Sequence, residues 1–236
     1  MGWAWTPARQ RLHPATPLTD RPQQPAFNGW VRIGEDDSIT VVMARSEMGQ
    51  GAQTGLAMLL AEELDARWDQ VRIEQAPMDA IYNNQVVAAD GLPFHPDDQG
   101  SLKRLAQHLT HKTMREVGLM MTGGSSSIKD AWLPMREAGA SARAMLIAAA
   151  ASRWQVPASE ISVSQGLLTH PSGVSARFGD LASLAAQQTP PKQVALKTAD
   201  QFKLIGTRPP RLEGLSKVNG SAVFGLDIRL PGMLYA

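Results

Sequence analysis

Hydrophobic positions along the chain follow two periods. Trp30-Val31-Arg32-Ile33 and Ser38-Ile39-Thr40-Val41-Val42-Met43 alternate and are rich in β-branched residues, and Gly34-Glu35-Asp36-Asp37 between them supplies a turn, so a hairpin is predicted. After Gly49-Gln50-Gly51 the period changes. Leu56, Leu59, Leu60 and Leu64 recur at helical spacing with Glu62 and Glu63 off that stripe, which predicts an amphipathic helix with a solvated acidic edge. Val71 and Ile73 then alternate with Arg72 and Glu74, as in a third strand. Between Ala76 and Gly100 the pattern is lost among Asn83, Asn84, Gly91, Pro93 and Pro96, the signature of a long surface loop. Leu102, Leu105, Leu109 and Val117 mark a second helix, with Asp97 and Asp98 ahead of its positive end. Trp132, Met135, Gly139, Ala142 and Leu146 mark a third, whose start or kink is expected near Pro134. Residues 161–164 and 167–169, separated by Gln165-Gly166, predict another hairpin, and 178–188 a short helix.

The two ends read differently from this middle. Residues 1–27 carry Pro7, Pro14, Pro17, Pro22 and Pro25, which forbids helix and predicts an extended, poorly ordered arm. Pro190-Pro191 breaks the chain, and 202–205 and 222–228 read as strands of a new unit. The apolar ending Met233-Leu234-Tyr235-Ala236 leaves that unit uncovered, so a truncated polypeptide is expected. The predicted fold class is α+β: a mixed or antiparallel sheet packed with amphipathic helices over 28–190, then a linker and an incomplete second unit over 191–236.

Composition narrows the chemistry. Of 236 residues 43% are apolar and 19% charged, as in ordinary globular domains. A net charge of +1 supplies no general field to draw the chain to nucleic acid or an anionic membrane. The absence of cysteine excludes disulfides, thiolate catalysis, and zinc or iron–sulfur ligation through cysteine, so any redox chemistry needs a borrowed cofactor. No apolar run is long enough to span a bilayer. The first residues lack the basic start and apolar stretch of an export signal, which leaves a cytoplasmic location for the chain expressed as it stands.

Two polar, glycine-bearing turns stand before helices. In Ser46-Glu47-Met48-Gly49-Gln50-Gly51-Ala52-Gln53-Thr54-Gly55 the glycines permit close backbone approach, the amides at the helix start can hold an anion, and Gln50 both donates and accepts. Thr122-Gly123-Gly124-Ser125-Ser126-Ser127 gathers hydroxyls and backbone donors at a second helix start, which suits phosphate or another polar anion. Taken singly, the first turn can equally be a ligand-free connection and the second an N-cap. Together they favour a large polyanionic cofactor.

Other readings compete. Gly49, Gly51 and Gly55, with Glu74 at the end of the next strand, imitate a nicotinamide or flavin dinucleotide fingerprint, although a hairpin precedes the strand and no second βαβ half follows. The serines do not spell a hydrolase motif. His108 and His111 share a helix face with His95 upstream, yet no cysteine or acidic third ligand joins them, so they are expected to face solvent and no metal site is assigned. A folded scaffold or partner-binding remnant is the non-enzymatic alternative.

The segments Ser46-Glu47-Met48-Gly49-Gln50-Gly51, Ala61-Glu62-Glu63-Leu64, Thr122-Gly123-Gly124-Ser125-Ser126-Ser127 and Arg136-Glu137-Ala138-Gly139-Ala140 together resemble the molybdopterin-binding subunit of the molybdenum hydroxylases, among them isoquinoline 1-oxidoreductase and aldehyde-oxidising relatives. The resemblance runs from about Asn28 to Ala236. It implies cofactor contact for Gly49, Gln50, Gly51 and Thr54, and for Gly123, Gly124, Ser125, Ser126 and Ser127. It also implies molybdopterin with molybdenum, often as the cytosine dinucleotide, and hydroxylation of aldehydes or N-heterocycles with water. A separate iron–sulfur subunit would carry the electrons, and a periplasmic location would follow a twin-arginine signal of which the start of this chain looks like a remnant. The family's subunit is several times longer. Its catalytic glutamate lies in C-terminal domains outside this sequence, and Lys217-Val218-Asn219-Gly220-Ser221-Ala222-Val223-Phe224-Gly225 resembles the opening of its next, hammerhead-like domain. No catalytic residue is therefore assigned, and the chain alone is expected to be inactive.

Overall fold

The structure, a computed structural model, describes residues 10–19 and 21–234. Strands β1 (Ala26–Asn28), β2 (Val31–Ile33), β3 (Ile39–Met43) and β4 (Val71–Gln75) form one sheet in that order. The first three are antiparallel, with Val31 opposite Val41. β4 runs parallel to β3, with Ile39 opposite Val71, because helix α1 (Ala52–Leu64) carries the chain back across the sheet. The sheet is thus mixed. Its alternation puts Arg32 and Thr40 on the face away from Val31, Ile39 and Val41, yet both are buried.

The cover on that face is the proline-rich arm. Its described part is extended, as its prolines require, but it is packed rather than loose. Leu12 is 2% exposed, Gly29 N–H donates to Leu12 O at 2.7 Å, and the Arg32 guanidinium donates to Thr19 O at 2.8 Å and to Glu74 at 3.0 Å.

The other side of the sheet meets α1 and α4 (Ser127–Trp154), which lie side by side in the same direction. Gly55 sits beside Ile128 at their starts, Glu63 bonds Arg136 at 2.6 Å further along, and Asp65 reaches Arg143 at 3.4 Å at the end of α1. Both N-termini therefore point to one end of the molecule. Close approach depends on Gly139, where a Cβ would stand 2.3 Å from Leu60 O. Pro134 neither starts nor interrupts α4. Proline removes the N–H that would bond Asp130 O, and Arg11 Nη1 takes that carbonyl at 3.2 Å instead.

The expected solvated edge at Glu62 and Glu63 is buried: the two residues are 2% and 0% exposed. The cause lies in residues 197–213, which strap α1 from its C-terminal to its N-terminal end. Glu62 accepts Lys203, Leu204 and Ile205 N–H at 2.9, 2.6 and 3.0 Å and the Lys197 ammonium at 2.9 Å. Glu63 accepts Arg136 and Lys197 N–H, and Arg136 also lies 5.2 Å from the Phe202 ring and 5.5 Å from that of Trp132. Periodicity sees only the helix, and these partners lie from 73 to 143 residues away.

The strands expected at 202–205 and 222–228 are absent among the described residues. Those stretches hold coil and a 3-10 turn at Gly225–Asp227, with a short helix α6 (Gly214–Val218) between them. Glu62 takes the N–H groups of 203–205, so no ladder can form there.

The second hairpin, β5 (Ser162–Ser164) and β6 (Leu167–Thr169), is present and gains β7 (Ser175–Arg177) before α5 (Phe178–Ala185). The loop after Ala76 folds further than expected, with helix α2 (Val86–Asp90) and Asn83, Asn84 and Gln85 buried. Helix α3 (Ser101–Val117) forms at the surface, with Leu102 and Val117 exposed rather than packed.

Candidate functional site

The two glycine turns meet at the shared end of α1 and α4. Ser46 N–H donates to Thr122 Oγ1 at 2.9 Å, joining stretches 76 residues apart. Beneath them, buried Asn84 donates to Ser126 Oγ at 2.6 Å and to Met121 O at 3.2 Å, which fixes the second turn.

The first turn is a backbone nest filled by its own side chain. Gly49 and Gly51 have φ of 101° and 77°, which glycine adopts without strain. That geometry aims successive amides at the Glu47 carboxylate, which accepts Gly49 N–H at 2.8 Å, Gly51 N–H at 2.9 Å and Gln53 N–H at 3.2 Å. Arg211 of the strap donates to Glu47 at 3.2 Å, to Gly49 O at 3.3 Å and to Glu213 at 2.6 Å. Burial is the largest single influence on Glu47 and opposes ionisation, but those amides and the guanidinium outweigh it, so its carboxyl titrates below the ordinary range.

Gln50 folds back: its side-chain oxygen accepts Met48 N–H at 2.5 Å and its amide donates to Ser46 O at 2.9 Å. Thr54 is buried, with its hydroxyl between Glu213 at 3.1 Å and Leu212 N–H at 3.2 Å. In this arrangement Gly49 and Gln50 are exposed, Gly51 is half-buried, and Thr54 is engaged with the strap.

The second turn is open. Gly124 and Ser125 take φ of 60° and 52° before α4, whose start has no side-chain cap. The N–H groups of Ser127, Ile128 and Lys129 have no acceptor among the described residues. A 28-residue helix therefore presents its positive end, with Gly124 and Ser125 exposed and Gly123 and Ser127 half-buried beside it. Ser126 serves the interior, accepting from Asn84 and donating to Gly123 O at 2.6 Å.

Sequence reading missed Glu47, Asn84, Arg211 and the buried ion pairs, because each acts through a distant partner. Glu74, the acid of the dinucleotide imitation, is held by Arg32 at 3.0 Å and Arg21 at 2.6 Å, and the first nest already contains a carboxylate. His108 and His111 are half-buried, and burial lowers the pKa of His111. No group of three histidines or acids among the described residues is placed to hold a metal. No described helix is long and apolar enough to cross a membrane.

Glu62 gives the strap a pH dependence. Burial opposes its ionisation most, but Lys197 and the amides of Leu204, Ile205 and Lys203 hold its carboxyl below the ordinary 4.5. A depressed folded pKa means the contribution is present above the unfolded value and lost as pH falls through the folded one. The urea midpoint is expected to fall below about pH 4.5. Glu62→Gln should flatten that fall, and an unchanged acid slope in the variant would rule out this origin.

Residues 1–91 match the family model of the molybdopterin cofactor-binding domain, a match that includes the first turn and stops short of the second. The chain is 32% identical over 244 residues to the beta chain of isoquinoline 1-oxidoreductase from Brevundimonas diminuta, covering 89% of this chain and 28% of that protein. It is 29% identical over 212 residues to the membrane-bound aldehyde dehydrogenase (pyrroloquinoline-quinone) of Gluconacetobacter polyoxogenes, covering 87% and 23%. It is 25% identical over 207 residues to a nicotinate dehydrogenase subunit of Pseudomonas putida, covering 87% and 14%. The chain thus spans less than a third of the length of each of these curated relatives. With glycine turns at the starts of two parallel helices and a molybdopterin cofactor-binding domain match over the first of them, this chain is similar to the molybdopterin-binding subunits of the molybdenum hydroxylases.

Proposed function

We propose that this chain supplies part of the molybdopterin site of an oxidoreductase that hydroxylates aldehydes or N-heterocycles with oxygen from water. The observation that carries this reading is the meeting of one filled and one open turn at a single end of the molecule, through Ser46 and Thr122. The open second turn fits an anionic group: Ser127, Ile128 and Lys129 N–H lack acceptors among the described residues, and Gly123, Gly124, Ser125 and Ser127 surround them. These residues would hold the phosphate-bearing part, which the reading takes as a cytosine dinucleotide. Gly49 admits close approach, since nothing lies within 4 Å of a Cβ built there, and Gln50 would turn its amide outward to the ligand. The molybdenum centre, when bound, would supply the oxygen transfer and accept the electrons.

This chain's own part is to bind and orient. Glu47 is a poor base, because three amides and Arg211 occupy its carboxylate. No catalytic residue is assigned to it. Partners in the reading are an iron–sulfur subunit and further domains of the longer relatives, with the assembled enzyme in the periplasm.

Elemental analysis of the protein purified from a molybdate-fed host tests the reading. The expected result is molybdenum retained in proportion to protein and lost when Ser125 and Ser127 are both changed to Glu, which sets like charge against phosphate. The aldehyde dehydrogenase relative is named for pyrroloquinoline quinone. Quinone absorbance in protein devoid of molybdenum would overturn the molybdopterin assignment.

A further inference from the structure

Arg45 is the residue before the first turn, and Asp130 lies in the first turn of α4, just after the second. Their side chains meet in the interior. Asp130 Oδ2 accepts from Arg45 Nη2 at 2.6 Å, and each side chain is 1% exposed. The same oxygen accepts from Arg11 Nη1 at 3.0 Å, while Oδ1 accepts Gln85 N–H at 2.8 Å and Val86 N–H at 3.3 Å. Arg45 is itself oriented, donating through Nη1 to Tyr82 O at 2.9 Å and to Ala44 O at 3.0 Å.

We infer that Asp130 is a positioning residue, whose carboxylate ties Arg45 to the start of α4 and thereby sets the separation of the two turns. Helix packing alone does not explain this bond. The far end of the same helix pair is already fixed by the close contact at Gly139 and by Glu63 with Arg136. Between the turns themselves, the bond from Ser46 to Thr122 is solvent-exposed, so it fixes the gap weakly. A ligand held by both turns needs their spacing kept to about 0.5 Å, which a buried, charge-assisted strut supplies and an exposed bond does not. That the spacing serves a cofactor rests on the proposed function; the strut itself does not.

The chain has no cysteine, so Met48→Cys and Ser125→Cys place one nitroxide label on each turn at exposed positions. In the full chain, Asp130→Asn is expected to widen the label–label distance distribution measured by electron paramagnetic resonance. Affinity for the molybdenum cofactor in unlabelled protein should fall about tenfold or more, as for supporting residues around other sites. Arg45→Lys keeps the charge but loses the fork that joins Asp130 to Tyr82 O, and it decides the matter if Asp130→Asn does not fold. Arg136→Lys is the control, because it weakens the far end of the same helices and should leave the distribution unchanged.

Widening in the strut variants alone supports the inference. An unchanged distribution in folded Arg45→Lys, or equal widening in Arg136→Lys, overturns it. A wild-type chain with a narrow distribution and no affinity for the cofactor would sink the functional reading while leaving the strut intact.

Discussion

Asp130→Asn is expected to lower the free energy of unfolding by about 3–5 kcal/mol, the usual loss when one partner of a buried ion pair is removed. At roughly 2–4 °C per kcal/mol for a chain of this size, the melting temperature should drop by on the order of 10 °C. The magnitude follows from what the change leaves behind. Arg11 and Arg45 are both buried, and both donate to this one carboxylate. A neutral amide keeps the shape but strands two guanidinium charges away from water. It can also turn its NH2 toward Gln85 N–H, where no acceptor would remain. Circular dichroism melts against wild type measure the effect, and a loss below about 1 kcal/mol would show that the charges are compensated elsewhere.

Gly139→Leu is the second large effect, at or above the ~3 kcal/mol upper end of ordinary overpacking costs. A Cβ at this position would stand 2.3 Å from Leu60 O and 3.1 Å from Glu63 Cβ, and the first of these is backbone that cannot rotate away. Helix propensity favours the substitution by about 1 kcal/mol, far too little to offset a clash with the facing helix. The helices must separate or tilt where Gly139 faces Leu60 and Glu63. Chemical denaturation reads the stability. A Gly139→Leu protein as stable as wild type would mean that α1 and α4 do not touch there.

Local patterns in the sequence revealed the hairpin of β2 and β3, the return to β4, three long helices, the second hairpin and both turns. Each depends on periods of two or 3.6 and on glycine within about ten residues. What stayed illegible depends on partners far along the chain. Glu62 and Glu63 look like a solvent edge until the strap arrives from residues 197–205. Pro134 reads as a break until Arg11, over a hundred residues earlier, takes the carbonyl it frees. Residues 202–205 carry a strand-like composition, but the amides of 203–205 face Glu62 and not a neighbouring strand. The first turn was legible as a helix start able to hold an anion, while its occupant, Glu47, was not, since a carboxylate within an anion-binding motif is as easily read as exposed polarity.

The central claim is that the two turns hold one ligand between them. Hydrogen exchange of the chain with and without bound molybdenum cofactor tests it most directly, by following amide protection at residues 46–55 and 122–129. Both segments are expected to gain protection together, at the same cofactor occupancy, with Ser127, Ile128 and Lys129 protected most because their N–H groups lack acceptors among the described residues. Protection confined to one segment, or arising at different occupancies in the two, would contradict the account.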